Sequence, residues 1–166
     1  GWLAAPAPVV ERLGRIKQIG DLSSSPLLQS AFARFARSGA LADHTETVRR
    51  AYGERRDVLL DALEACMPEG VVWTRPRGGM SLWVTLPEGC EADSVLRAAA
   101  REGVLFAPGP WFFPSGGERH FRICFGAVPT DRVAAGVKRL AAAVRGEIRR
   151  TAGGTQRRRE AALPPV

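Results

Sequence analysis

The first 67 residues carry apolar side chains at the three-to-four-residue spacing of α-helices. This pattern predicts three helices, at about 8–19, 26–38 and 42–67. Serine followed by proline at 25–26 is typical of a helix start, Asp43 or Thr45 is expected to cap the third helix, and Pro68 ends it. A short apolar run at 2–5 predicts the end of a buried strand ahead of the first helix.

Beyond residue 70 the period of the pattern falls to two, which is typical of β-strands. Strands are predicted at 71–74, 80–86, 104–106 and 121–125. A helix ending at Gly103 precedes the third strand, and a last helix runs from Thr130 or Asp131 to about residue 148. The order β-β-α-β-β-α predicts helices covering one face of a small antiparallel sheet. The fold class is therefore α/β, with an α+β C-terminal part, and residues 151–166 are predicted to be a disordered basic tail.

Composition favours a globular protein without a membrane span. The chain has 166 residues, of which 45% are hydrophobic and 25% are charged. No apolar run approaches the roughly 20 residues that cross a bilayer. Three cysteines fit neither a disulfide framework nor a metal-ligand spacing, so we expect no metal site and a reducing, cytoplasmic location.

The formal net charge of +7 is concentrated at the C-terminal end, where six arginines and two glutamates follow residue 144. Clustered arginines permit weak, salt-sensitive binding of nucleic acid. The tail lacks the interleaved aromatic residues of single-strand binders, so nucleic-acid binding is the least favoured class of function.

The chain starts with apolar residues and has no initiator methionine, charged leader or cleavage-site pattern. Such a start is not typical of a signal peptide. We expect the chain to come from the interior of a longer protein.

Common catalytic motifs are absent from the sequence: there is no phosphate loop with its lysine, no Cys-x-x-Cys and no Gly-x-Ser-x-Gly. His44 and His120 stand alone. Arg122 is more informative, because strand alternation points it away from Phe121. A guanidinium there can bind a carboxylate through two parallel hydrogen bonds, although an exposed arginine on the wet face of a strand has the same pattern. The loop at 108–117 fits either a substrate-facing wall or a packed connection.

Several segments resemble motifs of one family. Residues 74–87, TRPRGGMSLWVTLP, resemble the RPxGGMxLWVxLP segment of class I/II, fold-type I aminotransferases, which use pyridoxal 5′-phosphate. Residues 107–113 with 121–125 resemble the PGxxF…xxRLxF ending of that family. Gly1-Trp2 resembles the residues that follow its SxxKxxxPGxRxGW element.

Lys17-Gln18 and residues 21–29 are similar to the branch containing 2-aminoadipate aminotransferases and MocR-type regulators of the GntR family. The resemblance covers about residues 1–148. It implies the last strand and helices of the large cofactor-binding domain at 1–41, a bridging helix at 42–67 and the small C-terminal domain at 68–150.

The resemblance also implies a function. A homodimeric transferase would move an amino group between an amino acid and a 2-oxo acid, with pyridoxal 5′-phosphate as cofactor. The alternative is a MocR-type regulator, in which the same fold senses an amino acid or the cofactor and an upstream winged-helix domain binds DNA. Nothing in the 166 residues separates these two functions.

Arg122 matches the family's arginine for the substrate α-carboxylate. Gly78 and Gly79 match a turn that lets the sheet approach the large domain, and Pro108 and Gly109 match the loop that borders the substrate pocket.

The resemblance assigns no catalytic residue to this chain. The lysine that forms the Schiff base with the cofactor is expected upstream of residue 1. The two lysines present, Lys17 and Lys138, do not match its motif. The chain alone is therefore expected to be inactive.

Overall fold

The computed structural model describes residues 3–161, with side chains through residue 153. The chain forms two compact units, Gly1–Val48 and Arg49–Val166. Their boundary falls inside a long continuous helix, which therefore contributes residues to both units.

Proline and serine set the helix starts of the first unit. Helix α1 covers Ala7–Asp21, α2 covers Pro26–Arg37, and α3 covers Ala40–Cys66 and continues into the second unit. The Ser25 hydroxyl accepts the backbone N–H of Leu28 at 3.5 Å, as the predicted helix start requires. Neither α1 nor α2 has a buried residue, so their apolar side chains are exposed: Val9, Leu13, Ile16, Ile19, Leu27, Leu28 and Phe32.

Two features of the first unit differ from the sequence prediction. The residues from Leu3 to Pro6 form no strand, because this short run has no described strand beside it to pair with, and Trp2 lies outside the described residues. Helix α3 begins before the predicted caps Asp43 and Thr45. Gly39 turns the chain at a φ of 85°, so the helix starts immediately after that turn.

Within the described residues the second unit contains a four-stranded antiparallel sheet. Its strands are β1 (Val72–Trp73), β2 (Ser81–Thr85), β3 (Ala107–Pro108) and β4 (His120–Cys124), in the order β1-β2-β4-β3. The ladder between β2 and β4 runs from Ser81 opposite Cys124 to Thr85 opposite His120. The predicted fold class is confirmed.

One face of this sheet is buried by helices. Helix α4 covers Ala92–Arg101 and α5 covers Thr130–Ala161. Side chains from β2, β4 and the three helices form one core, including Leu63, Leu82, Val84, Val95, Phe121 and Val144. Burying each such side chain fully stabilises the fold by about 1.5–3 kcal/mol relative to leaving it exposed. Among the described helices, none combines the length with the apolar composition of a membrane span.

The third strand lies later than the predicted 104–106, because Val104 and Phe106 are partly buried by packing and the run is not paired with another strand. The Val104 N–H donates to the Ala99 carbonyl at 2.9 Å, which ties this segment to the end of α4. The Phe106 ring packs on Phe121 with a centroid distance of 4.2 Å. Strand pairing begins only at residue 107.

Helix α5 is also longer than predicted, since it continues to Ala161 where the sequence predicts disorder from residue 151. Alanine, glutamine, glutamate and arginine are strong helix formers, and they make up most of residues 155–161. The Thr151 hydroxyl donates to the Glu147 carbonyl at 3.0 Å, within the helix. The rest of the predicted tail, 162–166, lies outside the described residues.

A buried carboxylate joins α5 to α4. Glu147 is 5% exposed and accepts the backbone N–H of Glu91, just before α4, at 3.1 Å. Arg150 donates to both of its oxygens, from Nε at 2.8 Å and from Nη2 at 2.6 Å. The hydrogen bond from Arg150, followed by that from the Glu91 N–H, holds the pKa of Glu147 below its ordinary value. A lowered carboxyl pKa stabilises the fold above the ordinary pKa, and this contribution is lost as pH falls through the lowered value.

We expect Glu147→Gln to lower the free energy of unfolding at pH 7 by about 1–2 kcal/mol, because the charge bound by Arg150 and the Glu91 N–H is lost. The Arg150 side chain is 60% exposed, so solvent screening limits the effect. The deficit should be smaller at an acidic pH, because the stabilisation is lost as pH falls through the lowered pKa of the native carboxyl. Urea unfolding at both pH values measures this, with the exposed Glu69→Gln as a control that changes little. An equal deficit at both pH values would exclude the carboxylate charge as its source.

Candidate functional site

The face of the sheet opposite the core carries polar and aromatic side chains. Because side chains alternate along a strand, Trp83 of β2 and Arg122 of β4 lie on this face, directly opposite one another. Thr85 and His120 form the next pair on the same face, with Thr85 Oγ1 3.0 Å from His120 Nδ1. These four residues define what we call the open face.

Arg122 is the cation of the open face. Its Cζ lies 4.5 Å from the centroid of the Phe112 ring. Its Nε is buried and has no hydrogen-bond partner among the described residues. No ion pair in the described part of the chain involves Arg122. Its charge is therefore not neutralised by a described acidic side chain, and a carboxylate can bind it through two parallel hydrogen bonds.

Aromatic contacts hold the loop after β3 against the open face. Trp83 makes edge contacts with Phe112 and Phe113, at centroid distances of 5.3 and 6.0 Å. Phe113 also stacks on His120 at 5.6 Å. Such pairs contribute about 0.5–1.5 kcal/mol each beyond the burial of their area, so the loop has a defined position over the sheet.

The same loop is closed by a close approach of its backbone. Gly109 follows Pro108 directly and begins a short 3-10 helix. A Cβ on Gly109 would overlap the carbonyl oxygens of Gly117 and His120. Gly117 has a φ of 89°, a conformation that side-chain-bearing residues rarely adopt. The closure of the loop therefore depends on glycine at both positions.

The structure brings some of the predicted site residues together and leaves others apart. Ala107 of β3 pairs with Arg122 and Pro108 pairs with Phe121, so Pro108 and Gly109 directly follow the strand partner of the arginine. Gly78 and Gly79 lie in the turn that enters β2, and no described contact joins them to Arg122. Whether these residues border a substrate pocket stays a prediction.

The lysines and the remaining candidates have other surroundings. Lys17 on α1 pairs with Asp21, with its Nζ 2.5 Å from the carboxylate and both side chains about half exposed. Lys138 is exposed on α5, and His44 is exposed on α3. Cys90 is buried, and burial raises the pKa of its thiol. No cluster of His, Cys, Asp and Glu in the described range could hold a metal ion.

Phe112 and Trp83 are neighbours of Arg122 that the sequence analysis does not single out as site residues, although both stand in the motifs quoted there. The alternation of residues 80–86 and 121–125 places Trp83 and Arg122 on outward positions, but the register that pairs them is a tertiary property. The loop offers three successive aromatic residues at 111–113, of which Phe112 stands at the phenylalanine of the PGxxF motif, but the motif alone does not place its ring over the guanidinium.

The sequence is similar to a known family over most of its length. The family model described as aminotransferase class I and II matches residues 1–140. The chain therefore belongs to the class I and II aminotransferases, and the prediction from the resemblance is confirmed.

Curated relatives match this chain, three of them with sequence identities of 32–36%. The chain is 36% identical over 151 residues to aromatic-amino-acid aminotransferase 1 of Thermococcus litoralis, a match covering 90% of the chain and 36% of that protein. It is 36% identical over 146 residues to 2-aminoadipate transaminase of Thermus thermophilus, covering 87% of the chain and 36% of the relative. It is 32% identical over 145 residues to the uncharacterized HTH-type transcriptional regulator YisV of Bacillus subtilis, covering 87% of the chain and 30% of the regulator. The chain thus spans about a third of the length of these relatives.

Solved structures support the same assignment. The multiple substrate aminotransferase from Thermococcus profundus matches with a TM-score of 0.76 and 35% identity, over 87% of this chain and 36% of that one. The α-aminoadipate aminotransferase from Thermus thermophilus, complexed with N-(5′-phosphopyridoxyl)-L-leucine, matches with a TM-score of 0.74 and 35% identity, over 88% of this chain and 37% of that one. Pyridoxal 5′-phosphate, the predicted cofactor, is the cofactor of this family.

We expect Gly109→Ala to lower the free energy of unfolding by about 1–3 kcal/mol, because the new methyl group forces the backbone at Gly117 and His120 to move. Gly78→Ala is the matched control, since a Cβ at Gly78 has nothing within 4 Å and its φ is ordinary. The control should change stability by about 0.5 kcal/mol or less. Urea unfolding of the two variants measures the contrast, and equal stabilities would show that the Gly109 approach is not tight.

Proposed function

We propose that this chain provides the substrate-carboxylate-binding part of a pyridoxal-phosphate-dependent aminotransferase, which transfers an amino group between an amino acid and a 2-oxo acid. The observation that carries the proposal is Arg122, a guanidinium without an acidic partner among the described residues, within the segment that matches the family.

The position of Arg122 suits this role. β4 lies between β2 and β3, so hydrogen bonds on both sides hold the backbone that carries the guanidinium. A carboxylate bound by two parallel hydrogen bonds has a fixed orientation relative to the strand. Holding the α-carboxylate in this way orients the Cα–H bond of an amino acid for reaction, which is a contribution from proximity and orientation.

The residues of this chain do not by themselves fit the cofactor. Lys17 is engaged with Asp21 on an exposed helix surface, and Lys138 is exposed on a helix that packs beneath the core face of the sheet. Within the second unit, Lys138 is not among the residues of the open face. We therefore assign no cofactor-holding lysine in this chain and infer that the chain alone does not catalyse transamination. The electron-withdrawing chemistry of transamination belongs to the cofactor, and this chain's part is to bind and orient the substrate.

The wider setting of the site follows from the same proposal. We take residues 1–41 as the end of the cofactor domain, 42–67 as the bridging helix and 68–150 as the small domain. The proposed assembly is a homodimer in the cytoplasm, with an amino acid and a 2-oxo acid as substrates. The similarity to two named aminotransferases at 36% identity supports the activity and leaves the amino acid open.

A second candidate function is supported by the similarity to the HTH-type regulator. In that case Arg122 would bind the carboxylate of a sensed amino acid, and DNA would be bound outside the 166 residues. The complete reading frame discriminates between the two, since a winged-helix segment of about 60–70 residues ahead of the aminotransferase region would favour the regulator.

In the complete protein we expect Arg122→Gln to weaken amino-acid binding about 10- to 100-fold, because two charge-assisted hydrogen bonds to the carboxylate are lost. Cofactor affinity should change less than about twofold, since no cofactor contact is assigned to Arg122. Spectroscopic titrations with the amino acid and with the cofactor give the two dissociation constants. Arg101→Gln, an exposed arginine at the end of α4, is the control. A parallel loss of both affinities would count against a specific carboxylate role.

We expect the 166-residue chain, incubated with pyridoxal phosphate and treated with borohydride, to show no stoichiometric cofactor adduct. Exposed amines react with the aldehyde only weakly and without selectivity, and neither lysine has a neighbouring group placed to retain the product. Peptide mass spectrometry measures the labelling, and a Lys17→Arg, Lys138→Arg double variant gives the background. One equivalent of adduct on either lysine would contradict the inference.

A further inference from the structure

We propose that Phe112 is a positioning residue that fixes the plane of the Arg122 guanidinium, so that this cation is presented to a carboxylate without being neutralised by a protein acid. The proposal rests on the carboxylate-binding role of Arg122 given above. It adds an aromatic residue from the loop after β3 that acts on the substrate only through the arginine.

The first observation is how Arg122 is held. Its Cζ lies 4.5 Å from the centre of the Phe112 ring, within the distance at which the ring face attracts a cation. The buried Nε has no hydrogen-bond partner, and no described acidic side chain pairs with the guanidinium. Among the described residues, no hydrogen bond or ion pair restrains this guanidinium, and the Phe112 ring is its described aromatic contact.

The second observation is that Phe112 is itself held in place. Its backbone N–H donates to the Gly109 carbonyl at 2.8 Å, at the end of the short helix. Its ring makes an edge contact with Trp83 at 5.3 Å and an interplanar angle of 86°. Trp83 is the direct cross-strand partner of Arg122. The Phe112 ring thus contacts both the indole and the guanidinium, and the strand register holds Trp83 and Arg122 opposite each other.

This arrangement suits a site that must bind an anion reversibly. An acidic partner would orient the arginine but would occupy the donors that the substrate needs and would cancel the charge. An aromatic face orients the planar guanidinium while leaving its in-plane N–H donors available. The conformational entropy of the long arginine side chain is then already lost before the carboxylate binds. This preorganisation raises the affinity for the carboxylate.

The test compares Phe112→Leu, Phe112→Trp and the matched control Phe113→Leu in the complete chain. Phe113 has nearly the same exposure as Phe112, 43% against 42%, and also contacts Trp83, but it makes no described contact with Arg122. Two quantities are measured by NMR on ¹⁵N-labelled protein: the Nε–Hε resonance of Arg122, and the dissociation constant for sodium propionate followed at that resonance. Amide spectra establish that each variant is folded.

In the native chain the Arg122 Nε–Hε signal should be displaced upfield by the ring current of Phe112, relative to exposed arginines. Phe112→Leu should abolish the displacement and weaken propionate binding about three- to tenfold. Phe112→Trp should restore both, and Phe113→Leu should leave both within about twofold. A merely structural role for Phe112 predicts instead that the two leucine variants behave alike.

The outcomes distinguish the role of Phe112 from the carboxylate-binding role of Arg122 on which it rests. The Arg122→Gln variant lacks the Nε–Hε group, so its propionate binding is followed at backbone amide resonances of β4 in both this variant and the native chain. If Arg122→Gln does not alter propionate binding, the carboxylate role of Arg122 fails. If Arg122→Gln abolishes binding while Phe112→Leu matches the native affinity, the role of Phe112 alone is overturned. If Phe112→Leu does not fold, the native spectrum and the Phe112→Trp variant decide, because an undisplaced Arg122 signal in the native chain overturns the proposal.

Discussion

The site and the core of the second unit depend on one constraint, the register of the β2–β4 ladder. Phe121 and Arg122 are adjacent in sequence, and the ladder sends the first into the core and the second to the open face. Leu82 and Val84 are fixed by the same pairing. A slip of one residue would bury the guanidinium and expose the phenyl ring, at a cost of several kcal/mol. The hydrophobic core therefore enforces the geometry of the cation.

The open face is built from aromatic residues and backbone rather than from charge pairs. Phe112 lies over the Arg122 guanidinium, and Trp83 holds the ring from its edge. The loop that carries Phe112 closes because Gly109 has no side chain to meet the carbonyls across from it. A side chain added at Gly109 can thus move Phe112, and through it the guanidinium of Arg122, without contacting the arginine. Arg122 has no acidic partner among the described residues, and the carboxylate of the proposed substrate would pair with it.

The buried acid of this unit lies in a different place and has a different task. Glu147 connects α5 to the start of α4 through the Glu91 N–H, and Arg150 satisfies its charge. This fully paired carboxylate is a structural element, and the unpaired Arg122 is the functional candidate. Whether the charged group is paired within the protein distinguishes the structural residue from the functional candidate more clearly than its exposure or its position in the sequence.

The sequence alone determined the class of fold, the alternation that turns Arg122 away from Phe121, and the family motifs at 74–87 and 121–125. These properties are local, because strand period, proline and glycine positions act over a few residues. The sequence prediction misplaced the third strand, because the Phe106 ring of the apolar run 104–106 packs on Phe121 and the run itself is unpaired. It also ended α5 too early. Only the tertiary structure decided that Trp83 faces Arg122 and that Phe112 lies over it. Those contacts join residues far apart in the chain, and they follow from strand register and loop closure rather than from local preference.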